Sequence, residues 1–359
     1  MKQFKSWYML VVFAAFMSAL MVSVISSYES QFSFLNKYSF QPEFRTTSAF
    51  RVSELTTQHT VDVGIFPLKI YDIDFQRNTF KMSAYVWMIW DANAEVDGTP
   101  INPPESFEIT NIVDIGGFSK QELALNEIPG GKKYYLMKID GVFFQNFDVS
   151  RYPLDDQQLN IVLEDTVWLD NELLYRPDTK DTRLSSEVDI QGWNITNINI
   201  LADTHRYDTK FGLSHDTRDE AYSQLTFQIN IERPIQFFAI KFVFPLSIIL
   251  LFSLVAFWMP IDKFDVRIAL SGSALLNLIF LQQLHSNGIV ASQQLVLIDL
   301  LYIYAYVSVI LTLIDMIYSN YRYLQKQDEH YIVARNRWVS LGHMLGLVSL
   351  VMYIVIKYA

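Results

Sequence analysis

The chain has 359 residues, of which 51% are hydrophobic and 15% aromatic but only 18% charged, too apolar for a disordered segment and too unevenly apolar for one soluble domain. It contains no cysteine, which excludes disulfides and cysteine-based zinc sites, and its formal net charge of −10 opposes binding to the phosphate backbone of a nucleic acid. The 6 histidines show no His-Glu-x-x-His spacing, and the sequence holds no Gly-x-Ser-x-Gly, P-loop or Gly-x-Gly-x-x-Gly pattern, so no enzyme chemistry is expected.

At the N-terminus, Lys2 and Lys5 precede an uncharged stretch from Trp7 to Tyr28. This is the pattern of an export signal over residues 1–28, or of an uncleaved anchor. Residues 30–235 then carry 18 basic and 31 acidic side chains, whereas residues 236–359 carry 8 basic and 6 acidic. The middle of the chain, 29–235, therefore reads as an acidic soluble domain, and 236–359 as a membrane part.

Within the acidic domain, Leu225 to Glu232 alternates apolar and polar residues without a fault, the period of a strand with one face in a core. Similar runs fall at Lys81 to Trp90, Tyr134 to Phe144, Leu159 to Leu163 and Ile195 to Ile200, separated by turn signals such as Asp97-Gly98, Asn102-Pro103-Pro104 and Pro129-Gly130-Gly131. Strands at this spacing, with no long helical period, predict an antiparallel β-sandwich. Glu232-Arg233-Pro234 joins it to the membrane part with hardly any linker.

The membrane part holds four long apolar runs, M1 at about 237–259, M2 at about 265–287, M3 at about 294–320 and M4 at about 337–358. Each approaches the roughly 20 helical residues that cross a hydrocarbon core of about 30 Å. Lys263 and Arg267 lie between M1 and M2, and Arg322, Lys326, Arg335 and Arg337 between M3 and M4. These loops are expected on the cytoplasmic side of a multi-pass membrane protein, which puts the acidic domain outside.

M2 carries the sharpest local pattern. Asp265, Ala269, Ser273, Leu276, Phe280, Gln283 and Asn287 recur at steps of three and four residues and share one helical face. That face runs from charged through small polar and large apolar to amide. Two readings stay open on this pattern: a buried helix that tolerates a few polar groups, or a pore wall. In the pore reading several copies of M2 surround water, Asp265 attracts cations, and Leu276 with Phe280 forms a constriction. One chain has too few helices to enclose a pore, so this reading requires a symmetric homo-oligomer.

Phe147 to Gln158, with Tyr152-Pro153-Leu154-Asp155 at its centre, resembles the aromatic-Pro-x-Asp loop of the Cys-loop receptor superfamily, the pentameric ligand-gated ion channels. Gln145 and Leu159 stand where the family's two cysteines would be, as in the prokaryotic branch that lacks the disulfide. Trp90-Asp91, Arg233 before M1, Pro245 in M1 and Arg267 to Leu276 in M2 follow in the family's order.

The resemblance implies a homopentamer with an immunoglobulin-like outer sandwich above four helices. M2 would line the pore, with Asp265 as the acidic ring that favours monovalent cations and Leu276 as the gate ring. It implies coupling through Asp155 and Arg233, with Pro153 and with Asp72 or Asp74 of the Tyr71-Asp72-Ile73-Asp74 loop. It also implies an agonist site between subunits, with Trp168, Tyr207, Phe211 and Tyr222 on one side and Tyr85 or Trp87 on the other. Such aromatic cages bind amines by cation–π attraction, and Glu164, Asp165 or Asp208 offers a counter-charge.

Protons are an alternative agonist. The histidine that proton-gated members carry in M2 is replaced by Leu278, while His285 lies near the outer end of M2, where a solvated position is expected. No cofactor is expected; the acidic domain offers carboxylates to calcium or other divalent modulators. A non-conducting membrane-anchored sensor is the competing function, and it leaves the M2 stripe unexplained.

Overall fold

A computed structural model of the chain describes residues 59–113, 117–209, 221–286 and 296–358. The expected leader 1–28, Phe211 and Asn287 lie outside them. The chain divides into two compact units, one of residues 42–148 and 156–232 and the other of residues 149–155 and 233–359. The aromatic-Pro-x-Asp loop, expected within the outer domain, thus groups with the helices.

The first unit is built from strands β1 (His59–Asp74), β2 (Thr79–Asp91), β3 (Glu95–Val96) and β4 (Thr99–Pro100), the short helix α1 (Pro103–Ser106), then β5 (Phe107–Ile109), β6 (Ser119–Ile128), β7 (Lys132–Phe144), β8 (Asp156–Leu169), β9 (Leu173–Pro177), β10 (Asn194–Arg206) and β11 (Ala221–Glu232). One sheet has the order β6-β7-β2-β1-β9 and the other β10-β11-β8-β5. The β1–β9 pairing is parallel, and the other pairings in the two sheets are antiparallel. All five alternating runs fall on strands.

The sequence alternation maps onto burial. Met82, Ala84, Val86, Met88 and Trp90 of β2 are buried, as are Leu225, Phe227, Ile229 and Ile231 of β11, while the residues between them, Ser83 excepted, are partly exposed. Each such Leu, Ile or Phe removed from water stabilises the sandwich by roughly 1.5–3 kcal/mol. The two sheets are tied where the Tyr175 amide of β9 donates to Ser223 Oγ of β11 at 2.7 Å. The edge strand β6 is almost wholly exposed and carries Lys120, Glu122 and Glu127; charged side chains on an edge discourage pairing with foreign strands.

The second unit contains α2 (Ile235–Trp258), α3 (Phe264–Ser286), α4 (Leu297–Leu324) and α5 (Glu329–Tyr358). A π-turn over Ala239–Val243 interrupts α2 just ahead of Pro245. Proline has no N–H to continue the ladder, so the irregular turn sits where a regular one would be broken. Among the described residues three helices, α2, α3 and α4, are long and apolar enough to cross a membrane. The expected fourth span falls on α5, whose uncharged stretch begins at Trp338.

Antiparallel packing joins the end of α2, the start of α3, the end of α4 and the start of α5 through polar contacts. Arg267 Nε donates to the Ala256 carbonyl at 2.9 Å. Ser319 Oγ bonds Asn336 Oδ1 at 2.7 Å, and the Arg337 guanidinium lies 5.1 Å over the Trp258 ring. Arg335 is hydrogen-bonded to Asp315.

Candidate functional site

α3 has two faces of opposite character. Arg267, Ser271, Ala274 and Leu278, at steps of four, three and four, are buried within the chain's own helices. Asp265, Ala269, Ser273, Leu276, Phe280 and Gln283 are exposed. Leu276 is 55% and Phe280 63% accessible, unusual for large apolar side chains and a mark of a face that an aqueous monomer would not leave open. Arg267, half a turn off the stripe in the sequence, is fully buried and turned inward. His285, expected to be solvated, packs instead against Phe242 with ring centroids 4.4 Å apart and bonds the Tyr302 hydroxyl.

At the base of the helices the loop residues converge on one arginine. Arg233 Nε donates to Asp155 Oδ1 at 2.7 Å, and the Arg233 amide donates to the Asp155 carbonyl at 3.2 Å. The two side chains are only 10% and 1% exposed. The guanidinium also lies 4.9 Å over the Tyr152 ring and 5.7 Å over Phe237. Tyr152 in turn meets Phe242 edge-on at 5.7 Å, and the Tyr152–Pro153 bond is cis. The Leu297 amide at the head of α4 donates to the Ser150 carbonyl at 3.3 Å. Asp155, Arg233 and Pro153 are therefore brought into one cluster that touches α2 and α4. Asp72 and Asp74 lie in the β unit, where Asp72 pairs with Lys81 at 2.6 Å and Asp74 accepts the amides of Gln76 and Arg77.

The aromatic candidates fall on both sheets. Tyr207 and Tyr222 meet edge-on at 6.0 Å beside the end of β10. Trp168 is held near the end of β8 by Asp165, whose Oδ1 accepts the amides of Val167 and Trp168 at 2.9 and 2.7 Å. Asp165 is fully buried, and its other oxygen accepts from Ser106 Oγ at 2.7 Å and the Tyr175 hydroxyl at 2.9 Å. A carboxylate so saturated is a structural anchor for the Trp168 turn. Tyr85 and Trp87 stand on β2 in the other sheet. The Trp87 indole covers Gly64, where any Cβ would meet its ring at 2.1 Å, and donates to Asp178 at 3.0 Å, so this candidate is occupied within its own chain.

Glu164, named in the sequence only as a possible counter-charge, is the centre of a polar cluster. Its Oε1 accepts from the Tyr207 hydroxyl at 2.6 Å, and its Oε2 accepts from Gln224 at 2.8 Å and lies 2.6 Å from His205 Nδ1. His205 was not singled out by sequence reasoning: it comes to Glu164 only through the pairings of β10 with β11 and of β11 with β8. Burial first, then the bond to Glu164 and the charges of Glu164 and Glu108, hold the Tyr207 phenol well above its ordinary range, so it remains a donor at neutral pH. Among the described residues no group of three or more His, Asp or Glu side chains is arranged to hold a metal ion.

A β-sandwich continued by helices of membrane length, one of them striped, with an aromatic-Pro-x-Asp loop clasped by the arginine ahead of the first helix, is the arrangement that the resemblance to ligand-gated channels implies. The chain is similar in sequence to proton-gated and pH-sensitive ion channels and to gamma-aminobutyric acid receptor subunits. It is 24% identical over 222 residues to the proton-gated ion channel of Gloeobacter violaceus, covering 59% of this chain and 60% of that protein. It is 24% identical over 156 residues to the gamma-aminobutyric acid receptor subunit rho-2 of Bos taurus, covering 44% of this chain and 32% of that one. It is 20% identical over 219 residues to pH-sensitive chloride channel 2 of Drosophila melanogaster, covering 60% and 40%. The matches thus span at most 60% of the length of these relatives. No protein-family model matches the chain.

Proposed function

We propose that the chain is the subunit of a homopentameric, cation-selective channel whose β unit receives the opening stimulus on the outer side of a membrane. The observation that carries this reading is the division of α3. Its buried face already packs on its own chain, and its other face displays Asp265, Ala269, Ser273, Leu276, Phe280 and Gln283. Copies of α3 around an axis would turn that stripe into rings. A ring of Leu276 and Phe280 makes a dewetting constriction, and a ring of Asp265 concentrates cations at the pore end. The named relatives include a chloride channel, so the argument for cations rests on Asp265 alone.

The stimulus is a small molecule or a proton. Asp155 and Arg233 transmit it, because β8 begins at Asp156 and β11 ends at Glu232, each next in sequence to one member of the pair. A closely packed charge pair of this kind has discrete arrangements and suits a two-state coupling.

The test is the reversal potential of the current across a sodium chloride gradient, for the wild type and Asp265→Lys. The wild type should reverse near the sodium equilibrium potential and the variant should move toward that of chloride. An unchanged reversal potential in a conducting variant would remove Asp265 from selectivity.

A further inference from the structure

Glu164 belongs to a row of residues that face one another across the four-stranded sheet. Asp203 of β10 pairs with Gln224 of β11, Gln224 pairs with Glu164 of β8, and Glu164 pairs with Glu108 of β5. Directly opposed residues share a face and lie within about 5.5 Å, so three carboxylates crowd one row. Asp203 and Glu108 are exposed and keep their hydration, whereas the Glu164 side chain is only 3% exposed. A buried carboxylate directly opposite another, here Glu108, is costly unless a positive charge or a proton joins it.

The partner that supplies one is His205. Its ring nitrogen Nδ1 is 2.6 Å from Glu164 Oε2, and its side chain is 39% exposed. A contact this short between an imidazole nitrogen and a carboxylate oxygen holds a proton between them. The second nitrogen of the ring is then free to take another, which makes the pair ionic. Tyr207 and Gln224 donate to the carboxylate in either state. Tyr222 faces Tyr207, and Asp208 follows it. Asp165 and Arg206, next in their strands to Glu164 and His205, point to the opposite face by strand alternation.

We propose that Glu164 and His205 form a proton-binding site that locks the end of β10 to β8 and thereby regulates opening from the β unit. The regulatory half rests on the channel reading above; the proton site does not. The sign follows from the charges. With the imidazole protonated, its positive charge pairs with Glu164 and offsets the row of carboxylates. When the imidazole gives up that proton, the charge is lost and the lock weakens. The exposed imidazole is the entry for the proton and the buried carboxylate is what makes its charge count.

The full-length protein, purified in detergent or nanodiscs, tests the site by its thermal unfolding midpoint at pH 5 and pH 8, as wild type, His205→Asn and Glu164→Gln. Asparagine keeps an amide near the Nδ1 position but takes no proton, and at a partly exposed position it leaves the fold intact even where Glu164→Gln does not. The site predicts a pH-dependent difference in midpoint for the wild type that shrinks in His205→Asn. An equal pH dependence in both would overturn it. Where the wild type conducts, its pH response should shift in His205→Asn by about tenfold in proton concentration, which is one pH unit. An unshifted response would overturn the regulatory half. A silent wild type whose midpoint difference still depends on His205 would leave the proton site standing and remove protons as the stimulus that opens the channel.

Discussion

The β unit satisfies itself, and the helical unit does not. In the sandwich, the apolar faces of two sheets cover one another within a single chain, and the buried carboxylates Asp165 and Glu164 find donors from the chain's own side chains. In the helical unit α3 buries one face and leaves Leu276 and Phe280 open. The difference separates two uses of an apolar residue: in the first unit it closes a core, and in the second it waits for lipid, water or another copy of the chain. An exposed apolar stripe of this kind has no value to a lone chain in water.

The comparison breaks most severely at Arg233. Arg233→Ala would leave Asp155 buried without its partner, a loss of about 3–5 kcal/mol for a buried pair. Surface expression and the thermal midpoint should both fall, while Arg233→Lys, which keeps the charge but not the planar contact with Tyr152, should fall less. In the β unit Leu225→Ala should cost about 2–5 kcal/mol by opening a cavity in a closed core, visible as a lower denaturant midpoint. A loss below about 0.5 kcal/mol there would mean that the sheets are not packed as described.

Much of the fold was legible because alternation is local. Leu225 to Glu232 states its own geometry, and so do Lys81 to Trp90 and Tyr134 to Phe144. β6 was not legible, because an edge strand exposed on both faces has no alternation to read. In β1, register irregularities between Pro67 and Lys69 and between Tyr71 and Asp74 interrupt the period. The α3 stripe could be read as a face, but not as exposed, since a helical period is the same whether the face is covered or open. The structure shows that one side of the helix is buried within its own chain and that the striped side is exposed. The His205–Glu164 pair was beyond sequence reasoning for another reason. The two residues are 41 positions apart, and only the strand register brings them together. Trp87 shows the converse: an aromatic in a suggestive place is bound to Asp178 and laid over Gly64.

The account stands on which face of α3 meets water, and the absence of cysteine from the chain makes that directly measurable. Single cysteines at Ser273 and Leu276, and at Ser271 and Ala274 on the buried face, should be exposed to a charged, membrane-impermeant thiol reagent while current is recorded. The account predicts that the reagent alters current through Ser273→Cys and Leu276→Cys and leaves Ser271→Cys and Ala274→Cys unmodified. Reaction at the second pair, or no reaction at the first in a conducting channel, would contradict it.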